Sequence, residues 1–168
     1  LGDAADGSEV SRIVERYRRA DSAKAALEDA RAFWNQVLDT ITVRTPDRAM
    51  DLVLNRWLLY QTLSCRIWGR SAFYQSSGAF GFRDQLQDTL ALLAAEPAIV
   101  RHHLLHAASR QFVEGDVQHW WHPPLGRGVR THISDDYLWL PYATCRYVAA
   151  LGDTGVLAPT VTFSAPGV

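Results

Sequence analysis

The residues with side chains suited to chemistry are concentrated between Trp68 and Trp139. Two pieces of that stretch, FYQSSGAFGFRDQLQD (73–88) and GDVQHWWHPPLGRGVRTHISDDYLW (115–139), mix Trp, His, Arg, Asp and Gln with many glycines. Enclosed polar groups need hydrogen-bond partners, and glycine loses more chain entropy on folding than any other residue. A domain that carries both in one stretch has reason to bind something there. Aromatic plates beside side chains able to make paired hydrogen bonds suit a sugar, with its flat apolar faces and rim of hydroxyls.

Individual groups each admit more than one reading. Arg83 and Asp84 open a helix next to Gly81. They are either a dipole-favouring Asp beside a solvated Arg or a ligand-binding pair. Asp88 lies one turn beyond Asp84, where like charges repel unless Arg83, Arg70 or a ligand hydroxyl lies between them. Of Asp135 and Asp136, one is expected to cap a helix and the other could face the same cavity as Asp84. Carboxylates opposed in that way would be candidates for acid–base work at a glycosidic bond. Gln118, Trp120 and His122 would line the substrate wall. Arg127 and Arg130 could hold an anion such as phosphate bidentately, although the GK[ST] ending of a phosphate loop is missing. At least one of Trp120, Trp121 and Trp139 is expected in the core. His119, His122 and His132 lack the further ligand and clean helix of a zinc site. They read as hydrogen-bonding groups, and neither a metal nor another cofactor is expected. No GxSxG or Cys–His nucleophile arrangement occurs.

The elements that must position these residues read as helices. Apolar residues recur at helical spacing from Ser8 to Tyr17 and from about Asp21 to Leu38. ITVRT (41–45) is a short extended link, and Thr45-Pro46-Asp47 restarts a helix that is apolar nearly all round to Leu63, hence expected to be buried on most sides. Gly69 to Gly81 is a loop. Phe82–Ala95 and Ala98–Val113 are helices separated at Pro97. A loop of about twenty residues then runs to Ser134, too aromatic for disorder and too long to be idle. Ser134 or Asp135 caps the last helix, which Gly152 ends. Helix pairs with loops at one end fit an (α/α) toroid, and a plain bundle fits as well.

Size and composition exclude some functions. The 168 residues could form one sizeable core, and a net charge of −1 gives no pull toward nucleic acid or an anionic membrane. No run of apolar residues is long enough to span a bilayer, and LGDAADGSEV has no leader-like pattern. Cys65 and Cys145 are expected as buried, unpaired thiols of a reducing, cytoplasmic compartment, although a parent protein could be membrane-attached.

Three segments carry a family resemblance: IWGRSAFYQSSGAFGFRDQLQD, RQFVEGDVQHWWHPPLGRGVRT and SDDYLWLPYA. They resemble glycoside hydrolase family 94, formerly glycosyltransferase family 36. That family includes the inverting disaccharide phosphorylases and the phosphorylase-like C-terminal region of cyclic β-1,2-glucan synthases. The likeness is strong from about Asn55 to Leu157. It implies an all-α fold, a partial (α/α)6 barrel over 46–168 preceded by linker helices over 1–45. It also implies that Arg83 and Asp84 contact hydroxyls of the transferred sugar, and that the loop at 116–132 walls the acceptor and phosphate sites. Cellobiose phosphorylases carry an additional Arg in the glycine loop before this pair, where this sequence reads Ser76-Ser77-Gly78-Ala79, as in the glucan-synthase branch.

One departure outweighs the others. The family's general acid is an Asp in an Asp-Trp-Asn-Asp motif, and these 168 residues contain none. The chain is therefore expected to be a fragment that binds a β-glucosyl oligosaccharide or glucan without turning it over. Inorganic phosphate would be the co-substrate of the whole enzyme. Uncovered apolar stripes would meet the remainder of the parent polypeptide or a second copy. Two alternatives stand beside this reading. One is a self-contained hydrolase using Asp84 or Asp88 with Asp135 or Asp136. The other is a non-catalytic helical interaction module.

Overall fold

The computed structural model describes residues 4–71 and 77–164. Ser76, and with it part of the expected glycine-loop neighbourhood, lies outside the described residues. The chain divides into two compact units, Leu1–Asp39 and Thr40–Val168. The first holds α1 (Gly7–Tyr17) and α2 (Ala20–Leu38). Asp6, rather than Ser8, caps α1, its carboxylate accepting the N–H groups of Ser8 and Glu9 at 2.9 Å each.

The second unit is mostly helical with one small sheet. Asn55 clasps the link before its first helices, donating from Nδ2 to the Val43 carbonyl (2.9 Å) and accepting the Val43 N–H (2.7 Å). The helix expected over 46–63 is not continuous. It consists of α3 (Arg48–Leu52) and α4 (Leu58–Gln61), with wide π-type turns at Val53–Trp57 and Thr62–Trp68. Asn55 and Arg56 leave helical geometry between them, Arg56 at φ 70°. Nor is this stretch buried on most sides: Leu52 is 63% and Trp57 53% exposed, and only Leu63 and Ile67 reach the core. Both cysteines are exposed too, against the expectation of buried thiols.

The core forms where α5 (Phe82–Leu90) packs against α6 (Pro97–Ala108), α7 (Asp136–Leu151), the turns at 62–68 and the sheet. Phe82, Leu86, Leu92, Val100, Leu104 and Ala107 are buried there. Pro97 does not merely end the preceding helix. It begins α6, where its missing N–H costs nothing.

The long loop expected after Gly115 is largely a β-hairpin. β2 (Val117–His122) and β3 (Arg127–Thr131) pair antiparallel, and β1 (Phe80–Gly81) joins the other edge of β2. Phe80 stands opposite Trp121, and Gly81 opposite Trp120. Trp121 is 1% exposed and is the expected core tryptophan, stacked on Phe80 with ring centroids 5.3 Å apart.

His103 and His106 pack into the same aromatic cluster, each beside Phe80. Burial depresses His103 to about 3 and His106 to about 4, reinforced by neighbouring histidines and, for His106, by Arg110. An unfolded histidine titrates near 6.5. Between those values the unfolded chain takes up protons that the folded chain excludes, so stability falls with falling pH and levels off below about 3. Carboxylates in model peptides titrate near 4, below this interval. The melting temperature should therefore drop between pH 7.5 and pH 5, and His103→Leu should flatten that drop. A melting temperature constant over this range would contradict the account.

Candidate functional site

α5 begins where β1 ends, and the junction is built for close approach. Gly81 is extended at φ −111° and precedes the first turn of α5. Gln85, one turn on, reaches back to accept the Gly81 N–H. A Cβ at Gly81 would come within 2.8 Å of Asp84 Oδ2. The missing side chain thus makes room for the Asp84 carboxylate at the positive end of the helix.

Across from α5, the start of α7 contributes two carboxylates with different tasks. Asp135 occupies the cap position but makes no side-chain cap bond. Its Oδ2 instead accepts from Arg83 Nη1 at 2.7 Å and from Trp139 Nε1 at 3.4 Å. The Arg83 bond holds Asp135 below the ordinary carboxylate range and raises Arg83 in turn. Asp136 is 1% exposed, and its Oδ2 lies 2.7 Å from Nδ1 of His119.

Ser77, Ala79, Gly81, Phe82, Arg83, Asp84, His119, Trp120 and His122 line a cavity of about 310 Å³. The volume is at the lower end of the range for small-molecule sites. Trp120 forms an exposed wall, and His122 meets it edge-on with ring centroids 5.5 Å apart. Arg83, Asp84, Trp120 and His122 thus share one space, with Asp135 and Asp136 bonded to its walls.

The other expected site residues lie elsewhere. In an unbroken strand Gln118, Trp120 and His122 would share a face. The register shifts between Gln118 and Trp120, so His119 has no partner across the hairpin. This bulge sends His119 and Trp120 to the cavity and Gln118 away from it. Gln118 is fully buried, donating to the Gly126 carbonyl (2.8 Å) and accepting from Arg110. Arg130 is bound to Asp116 and Glu114 and covers the Phe112 ring at 4.0 Å, so it braces the base of the hairpin. Arg127 is exposed at the start of β3 and does not line the cavity. Asp88 pairs with Arg66 at 2.8 Å, outside the cavity lining. Burial raises Asp88 despite that partner.

His119 is the residue that sequence reasoning left out of the substrate wall. A strand bulge has no signature in residue types, and the Asp-His contact joins positions 17 apart in the chain. Among the described residues, no three His, Cys, Asp or Glu side chains are grouped to hold a metal ion, and no helix is long and apolar enough to cross a membrane.

Comparison with known proteins gives a consistent result. Residues 33–164 match the family model described as the glycosyl hydrolase 94 superfamily, catalytic domain. The chain is 56% identical over 163 residues to the cyclic beta-(1,2)-glucan synthase NdvB of Rhizobium meliloti, covering 97% of this chain and 6% of that protein. It is 25% identical to the N,N'-diacetylchitobiose phosphorylase of Vibrio proteolyticus, covering 93% of this chain and 23% of the relative. It is 28% identical to the solabiose phosphorylase of Paenibacillus borealis, with 97% and 20% covered. The chain therefore spans less than a quarter of the length of each of these relatives.

The hairpin depends on one residue lacking a side chain. A Cβ at Gly128 would lie 1.8 Å from the Trp120 carbonyl oxygen and 2.7 Å from Trp121 Cα. Both are backbone atoms and cannot swing away. Gly128→Ala should therefore cost about 2 kcal/mol or more, and it should displace Trp120 from the cavity. Chemical denaturation and tryptophan fluorescence would measure both effects. An unchanged midpoint and spectrum would refute the assignment.

Proposed function

Because the chain belongs to the glycosyl hydrolase 94 superfamily, catalytic domain, we propose that it is the sugar-gripping part of a β-glucan or oligosaccharide phosphorylase-type catalytic domain. In this reading Arg83 and Asp84 hydrogen-bond hydroxyls of the glycosyl unit, and Trp120 supplies its apolar platform. Residues 46–168 would be the first part of an (α/α)6 barrel and 1–45 its linker. The observation that carries the reading is the single cavity shared by Arg83, Asp84 and Trp120.

The intact protein would act with inversion. A carboxylic acid protonates the glycosidic oxygen while inorganic phosphate attacks the anomeric carbon, so one protein carboxyl suffices. These 168 residues hold no Asp-Trp-Asn-Asp motif, and the acid is assigned to the remainder of the parent polypeptide. The chain alone would bind a β-glucosyl oligosaccharide and leave it uncleaved.

The self-contained hydrolase is less well supported. It needs a carboxyl kept protonated at the cavity. Asp135 is shifted the opposite way by Arg83, and Asp88 is bound to Arg66 outside the cavity. A pure interaction module would present an apolar face at the hairpin. The lining there includes Arg83, Asp84, His119 and His122.

The chain should bind a β-1,2-linked glucose disaccharide, as read by NMR titration, and should consume no phosphate in its presence. In the intact enzyme Asp84→Ala should lower kcat/KM by about 10²-fold or more, since hydrogen bonds to the sugar strengthen as the transition state forms. Its circular dichroism should be unchanged. Near-normal kinetics for that variant would overturn the role given to Asp84.

A further inference from the structure

We infer that Asp136 is a positioning residue that fixes His119 so that its second ring nitrogen, Nε2, accepts a hydrogen bond from a hydroxyl of the ligand in the cavity. The inference rests on the sugar-binding reading above and adds to it a residue pair and a direction of hydrogen bonding.

Three observations converge on the pair. His119 is the unpartnered residue of the β2 bulge, and such bulges re-aim a side chain next to a site. Its Nδ1 lies 2.7 Å from Asp136 Oδ2. A carboxylate has no proton to give, so Nδ1 carries the hydrogen of that bond. Nε2 is then the ring nitrogen left for a ligand, no described residue bonds it, and the side chain lines the cavity. In the uncharged ring that nitrogen is an acceptor, and it asks for an O–H donor.

The third observation concerns what the arrangement costs. Asp136 is 1% exposed, and its Oδ1 is buried with no hydrogen-bond partner among the described residues. A carboxylate buried with one oxygen unsatisfied works against stability. An apolar side chain would fill the place more favourably if packing were its only task. Orienting an imidazole by a carboxylate behind it, with the other nitrogen turned to the reactant, is the standard return for such a cost. Arg83 and Asp84 supply a donor and an acceptor from α5. His119 adds an acceptor from β2, beside the Trp120 platform.

The test uses the full chain with a β-1,2-linked glucose disaccharide as probe. In the free protein, ¹⁵N NMR of the histidine rings should show His119 with its proton on Nδ1, and Asp136→Asn should convert it to a mixture of tautomers. In titrations, His119→Ala should weaken disaccharide binding about tenfold, the loss of about one hydrogen bond between uncharged groups. Asp136→Asn should weaken it severalfold, with circular dichroism unchanged. If either variant fails to fold, the wild-type tautomer still decides. A proton on Nε2 in the wild type refutes the inference. So does undiminished binding by His119→Ala when Arg83→Ala abolishes binding, a result that leaves the sugar-binding reading standing. Absence of binding by the wild-type chain overturns that reading, and the inference with it.

Discussion

Two neighbouring carboxylates at the start of α7 hold the cavity walls in register. Asp135 accepts from Arg83 on α5, and Asp136 accepts from His119 on β2. Successive side chains at a helix start diverge by roughly 100°, as the 3.6-residue turn requires. One dipeptide can therefore reach a helix on one side and a hairpin on the other. Neither contact is local, spanning 52 and 17 residues respectively. Their joint effect is to make the beginning of α5 and the central strand of a small sheet into one surface.

The two bonds are not equivalent energetically. Arg83 and Asp135 are 39% and 43% exposed, so their attraction is screened and contributes little to stability. A half-exposed guanidinium keeps further N–H donors for a ligand and can exchange partners at small cost. Asp136 is enclosed, and removing its imidazole would strand a buried carboxylate. The exposed pair is suited to handling a ligand, the enclosed pair to setting geometry. That division agrees with their places: Arg83 on the cavity wall, Asp136 behind it.

Much of this was legible in the sequence. Helical periodicity located α1, α2, α5, α6 and α7, and the unusual mixture around Arg83 and Trp120 marked the cavity. The hairpin was not legible, for a physical reason. A strand is recognised by alternation, and the bulge at His119 breaks the alternation at the point where it would have counted. The same break explains why Gln118 was expected beside Trp120 and is instead enclosed on the other face of β2. Arg130 reads in the sequence as a side chain free for an anion because its partners, Glu114 and Asp116, stand 16 and 14 residues away. The helix over 46–63 was read as buried from its apolar circumference, yet Met50, Leu52, Val53 and Trp57 are exposed. Apolarity all round says that a helix is meant to be covered, and it is silent about which atoms do the covering. In the proposed barrel, later helices would supply them.

The acidity of Asp135 bears on how catalysis would be divided. Protonating a glycosidic oxygen requires a carboxyl whose neighbours favour the proton. Asp135 faces a guanidinium that favours its loss. Asp84 has the same guanidinium at 3.9 Å and the start of α5 beneath it. The Asp135 surroundings stabilise negative charge. An arrangement of that sign is well matched to accepting hydrogen bonds from sugar hydroxyls and poorly matched to donating a proton. In the proposed function, the Asp135 environment fits a division in which a separate carboxyl supplies the proton.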